Sequence, residues 1–87
     1  MTDQKIDFEN AVAQSKQLPS RPDNENLLRL YSLYKQATEG DLTPENPPGI
    51  FDFVARAKYD AWLKLKGTPA DHAMQAYIDL VKELAEK

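Results

Sequence analysis

Five side chains in this sequence have the types and spacing to bind a charged ligand: Tyr31, Tyr34, Lys35, Lys58 and Tyr77. On a helix, Tyr31, Tyr34 and Lys35 stand at i, i+3 and i+4 and share a face. That face should be apolar, yet it carries two phenols and an ammonium. A buried phenol or ammonium needs a partner for its polar tip, from the protein or from a ligand. Lysines are point charges suited to phosphate. Tyrosine rings can stack on a base or line an apolar groove. The set therefore describes a ligand with a phosphorylated, aromatic end and leaves room for an apolar one. The plainer account is that the tyrosines pack with their tips at the surface and the lysines snorkel. Five such residues on inward or flanking faces of three helices favour a site.

Catalysis finds little support. The single histidine, His72, falls in the first turn of the last predicted helix, off its apolar stripe, where water solvates it. No Ser-His-Asp or His-carboxylate pattern is visible, and no glycine-rich loop cradles a phosphate. With no cysteine in the chain, a metal site would need carboxylates alone, and these are scattered along helix exteriors. Neither a cofactor nor a disulfide is expected.

Four elements must position the five residues. The first helix is predicted over about 4–17, with Phe8, Ala11, Val12 and Ser15 as a thin stripe and Asp3 as cap. Lys16 near its end suits the helix dipole. The prolines of Leu18-Pro19-Ser20-Arg21-Pro22 break the chain. Asp23 caps a second helix over 24–39, whose stripe is Leu27, Leu30, Tyr31, Tyr34 and Ala37 with Leu28 on its flank, and Gly40 stops it. A proline-rich loop fills 40–52. The third helix spans 53–66, capped by Asp52 and stopped by Gly67. Phe53, Ala57, Ala61 and Leu65 form one stripe; Val54, Lys58, Trp62 and Leu65 lie beside it. Arg56, Lys64 and Lys66 make this helix the one basic concentration. The fourth helix spans 69–85, with Thr68 as cap, Pro69 in the first helical position and Asp71 returning the contact. Its stripe is Ala73, Tyr77, Leu80, Val81 and Leu84.

Four helices without a strand pattern in 87 residues predict a single all-α domain, a four-helix bundle. The long loop between helices 2 and 3 permits a crossover. A net charge of −3 supplies no broad basic field for nucleic acid. No apolar run follows Met1, so neither a signal peptide nor a membrane span is expected. A cytoplasmic monomer is the default expectation.

The run Tyr31-Ser32-Leu33-Tyr34-Lys35-Gln36-Ala37-Thr38 with Gly40-Asp41 resembles the acyl-CoA-binding protein family, also called diazepam-binding inhibitor. Asp52-Phe53, Ala57-Lys58-Tyr59-Asp60-Ala61-Trp62 and Leu65-Lys66-Gly67-Thr68 resemble that family's next block in order and spacing. Asp71, Ala73-Met74 and Ala76-Tyr77-Ile78 continue the likeness, which runs from Phe8 to about Leu84. The resemblance implies a four-helix bundle with a crossover between helices 2 and 3 that binds, transports and buffers medium- and long-chain acyl-CoA esters without catalysis. It implies that Tyr31, Lys35 and Lys58 hold the 3′-phosphate and the neighbouring nucleotide. Tyr34 then lies against adenine, and Tyr77 and Lys16 approach from the fourth and first helices. Leu27 and Leu28 line the acyl groove. Three departures stand out. Val54 replaces a common basic residue, Tyr59 replaces a usual tryptophan, and Asn46-Pro47-Pro48-Gly49 lengthens the loop by about one residue.

Two other readings compete. One is a small helical module that binds a protein partner through its basic third helix. The other is an acyl carrier, which needs an attachment serine in an Asp-Ser-Leu setting near a helix start; Ser32 lies mid-helix after Tyr31, and Ser15 and Ser20 lack that context.

Overall fold

Three aspartates start three of the four helices. In the computed structural model, which describes residues 3–43, 48–49 and 51–86, Asp3, Asp23 and Asp52 accept backbone N–H bonds from Lys5, Asn26 and Ala55. Each satisfies a donor that the helix itself leaves open. The helices are α1 (Gln4–Ser15), α2 (Asn24–Glu39), α3 (Phe53–Leu63) and α4 (Ala70–Ala85). The order and the α2 bounds match the periodicity; three ends do not.

α1 stops at Ser15 rather than 17, because Lys16 and Gln17 donate to Ala13 and Gln14 in tighter three-residue turns. α3 stops at Leu63 rather than 66 for the same reason, with Leu65 donating to Trp62 and Lys66 to Leu63. α4 begins at Ala70 rather than 69. Pro69 has ψ 148°, an extended value, so it occupies the cap position and Thr68 lies outside the helix. No side chain caps α4, and Asp71 makes no capping box: its carbonyl instead accepts from the Gln4 amide at 2.9 Å, tying the starts of α1 and α4.

The core is built by three helices. Phe8 and Ala11 of α1, Leu30, Leu33 and Ala37 of α2, and six residues of α4 centred on Val81 are buried together. Burying a side chain of this kind contributes roughly 1.5–3 kcal/mol. α4 packs against both α1 and α2, whereas α3 packs on α2 alone and buries no residue completely. This is not a ring of helices each packed on its chain neighbours. The predicted α3 stripe is not a core stripe at its start: Phe53 is 74% exposed. The expected lengthening of the loop at 46–49 falls largely outside the described residues.

A polar node joins α2 to the segment after α3. Gly40 has φ 80°, a left-handed value that favours glycine, and turns the chain at the end of α2. The turn delivers Asp41, whose carboxylate accepts from the Gln36 side-chain amide and the Gly67 N–H, both at 2.8 Å. Gln36 also donates to the Thr68 carbonyl at 2.9 Å, and the Trp62 indole N–H donates to the Gly40 carbonyl at 2.9 Å. Gln36 is only 1% exposed, so its bonds are partly shielded from water, whereas Asp41 itself stays exposed. The Gly67 N–H above all, then the Gln36 amide and Lys66, hold the Asp41 carboxyl below its ordinary pKa. The node fixes where α3 sits against α2, and therefore where Lys58 sits against Tyr31.

Candidate ligand-binding site

Tyr31 stands at the centre of the site. One side of it faces a cavity of about 620 Å³ between α2 and α3, lined also by Leu27, Leu28, Phe53, Val54, Ala57 and Lys58, with Arg21 and Asn24 at its edge. The other side faces a depression of about 260 Å³ lined by Lys16, Tyr34 and Tyr77 among others. The periodicity of α2 explains this placement. Leu27 and Leu28 each stand one turn before Tyr31, at i−4 and i−3, so the three present one wall to α3. Because α3 buries nothing completely, its apolar start remains available as the facing wall.

Two ammonium groups converge on Tyr31. Lys58 Nζ lies 5.2 Å from the ring centroid and Lys35 Nζ lies 5.9 Å from it. Lys35 Nζ is also 5.6 Å from the Trp62 ring. Cations at this range are attracted to the ring faces, by about 0.5–1 kcal/mol at exposed sites. Lys35 lines neither cavity; it pairs with Glu39 one turn further along α2. The hydrogen bond to Glu39 is the main reason its pKa is raised, partly opposed by desolvation. The side chain is a full cation at neutral pH.

The aromatic side of the site is a stack with a partnered phenol. Phe8 lies 6.0 Å from Tyr34, nearly parallel, and 5.2 Å from Tyr77, edge on. Tyr34 stays 40% exposed while Tyr77 is buried. The partner that a buried phenol requires is Ser15: the Tyr77 hydroxyl donates to its Oγ at 3.1 Å, and Ser15 donates in turn to the Val12 carbonyl at 2.6 Å. Burial pushes the Tyr77 pKa up, with the Ser15 bond acting against it. Tyr77 thus offers a ring and a satisfied hydroxyl.

Comparison with known proteins bears on the family and the fold. The family described as "Acyl CoA binding protein" matches residues 5–81. This chain belongs to the acyl-CoA-binding protein family. An Acyl-CoA-binding protein homolog 1 from Caenorhabditis elegans is 45% identical over 82 residues, covering 94% of each chain. The crystal structure of Acyl-CoA-Binding Protein 2 from Oryza sativa superposes with a TM-score of 0.89 at 43% identity, covering 97% of this chain and 92% of that one. An Enoyl-CoA delta isomerase 2 from Rattus norvegicus is 56% identical over 79 residues, but the match covers only 20% of that protein's length. The match therefore runs nearly the whole length of one relative and only a segment of a much longer one.

All the residues expected at the site lie around Tyr31, in two groups. Lys16, Tyr34 and Tyr77 share one depression with it; Leu27, Leu28 and Lys58 share the other. Lys35 joins them through the Tyr31 ring. Sequence reasoning missed Arg21, which sits between two prolines and carries no periodic signal. It lines the same cavity as Val54, so a cation is present on a wall where Val54 supplies none. Reasoning from pattern also passed over Glu39, although its i+4 spacing from Lys35 is a readable pairing signal. His72 is exposed, as expected. No helix among the described residues is long and apolar enough to cross a membrane.

Proposed function

We propose that this protein binds medium- and long-chain acyl-CoA esters without catalysis, carrying and buffering them. In this reading the 3′-phosphate and adjacent nucleotide sit against Tyr31, Lys35 and Lys58. Adenine lies on the open side of Tyr34, with Lys16 and the Tyr77 ring closing the depression. The acyl chain runs along Leu27, Leu28 and Phe53. A ligand of this kind has a polyanionic aromatic end and a long apolar end, and it needs two unlike surfaces joined without a gap. The supporting observation is that Tyr31 forms a wall of both the tyrosine-lined depression and the apolar cavity. The protein is proposed to act alone in the cytoplasm, as a monomer.

Calorimetric titration tests the reading. Palmitoyl-CoA should bind at low micromolar concentration or tighter. Lys58→Ala should weaken it about tenfold or more, since a hydrogen bond to a charged group contributes roughly 1.5–3 kcal/mol. The 3′-dephospho ester should lose a similar increment, and the two losses should overlap. Absence of binding by the wild-type protein would remove the reading and favour a protein-interaction role for the basic face of α3.

A further inference from the structure

The two lysines proposed to meet the phosphate are not equivalent. Lys35 Nζ lies 2.6 Å from Glu39 Oε2, while Lys58 has no carboxylate partner among the described residues. Neither member of the pair is deeply buried: Lys35 is 30% exposed and Glu39 52%. We propose that Glu39 acts as an internal competitor of the ligand phosphate: it holds the Lys35 ammonium when no ligand is bound, and so sets the affinity for 3′-phosphorylated ligands. This rests on the acyl-CoA reading above and adds to it a residue that acts through Lys35.

The charges permit two courses when a phosphate arrives at Lys35. It can displace the Glu39 carboxylate, which forfeits the existing pair. It can share the ammonium, which has three donors, but then two anions lie within about 5 Å of each other and repel. Both courses penalise phosphate binding. The pair is an exposed i, i+4 contact of small intrinsic worth, so it yields to a ligand and does not lock the site. Tyr31 and Trp62 hold the ammonium near its present place through their ring faces, so removing the carboxylate leaves Lys35 where a phosphate can use it.

The test is titration of wild type and Glu39→Gln with palmitoyl-CoA and with its 3′-dephospho analogue, at low and high salt. The variant should bind palmitoyl-CoA about threefold to fivefold more tightly at low salt. Its affinity for the dephospho analogue should stay within about twofold, and the gain should shrink in high salt, which screens exposed charges. Glu39→Ala should act in the same direction. No gain would overturn the proposal; weaker binding would do so as well and make Glu39 a positioning residue for Lys35. An equal gain for both ligands would overturn it too, since the effect would not run through the 3′-phosphate. Failure of wild type to bind the ester is a separate result, visible in the first titration, and would remove the binding reading itself.

Discussion

The Gln36 side-chain amide and the Asp41 carboxylate meet at 2.8 Å, across the turn that ends α2. Gln36 faces inward from α2 between Lys35 and Ala37, with its second amide bond to the Thr68 carbonyl. It holds together the two chain segments that flank α3. Gln36, Gly40 and Asp41 thus work as architecture, while their neighbours Tyr31 and Lys35 belong to the proposed ligand site.

Truncating Gln36 should therefore be costly for stability. Gln36→Ala removes two part-buried hydrogen bonds, one of them to a carboxylate, and leaves the Thr68 carbonyl to find another donor. Losses of roughly 2–3 kcal/mol are expected, which for a domain of this size is a fall of about 10 °C or more in thermal midpoint. Thermal unfolding followed by circular dichroism measures it. A shift under about 3 °C would show that the node is ornamental.

Asp41 gives the node a pH dependence. Its folded pKa is depressed below the ordinary 3.8, chiefly by the Gly67 N–H. The folded state thus binds fewer protons than the unfolded state in that range. The stabilisation is present above the ordinary value and is lost as pH falls through the folded one. Urea unfolding from pH 6 to 2.5 should show wild type more stable than Asp41→Asn at the upper end. The two curves should converge in the acid range, and curves parallel throughout would contradict this role.

Tyr77 separates a structural hydroxyl from a binding ring. Since Ser15 already occupies its hydroxyl, Tyr77→Phe should cost about 1 kcal/mol of stability, the worth of one neutral hydrogen bond. Affinity for palmitoyl-CoA should change by less than about twofold. A tenfold loss of affinity would mean that the hydroxyl turns to the ligand on binding.

The apolar cavity predicts a chain-length series. Full burial is worth about 0.8 kcal/mol per methylene, and a third of that accumulates to roughly thirtyfold over eight methylenes. Palmitoyl-CoA should bind far more tightly than octanoyl-CoA, with Phe53→Ser or Leu28→Ser flattening the slope. Titration below each ligand's micelle concentration reads the slope, and a flat wild-type series would deny the acyl chain this cavity.

Local chemistry was the most legible part of the sequence. Asp23 and Asp52 cap as expected, and Gly40 stops α2, because each acts within a few residues of itself. Lys58 and Tyr31 could be placed on inward or flanking faces because both carry their helix's period; that their two helices face each other could not. What stayed hidden depends on distant pairings. The need for a partner at Tyr77 was readable, but Ser15 lies 62 residues away in sequence. The bonds of Gln36 to Asp41 and Thr68 could not be anticipated from periodicity, since an amide within a helix carries no period of its own. The stripe from Phe53 to Leu65 has the pattern of a core stripe, and periodicity alone does not tell whether the facing surface is another helix or an open cavity.

Because α3 leans on α2 alone, the molecule should open unevenly. An element with no wholly buried side chain detaches at a lower free energy than the α1–α2–α4 core, so its amides should trade hydrogen for deuterium by sub-global opening. A ligand spanning α2 and α3 adds the contacts that this junction lacks. Bound ester should then slow exchange most strongly across Phe53–Leu63 and only weakly in α4, making the least protected helix a gauge of occupancy.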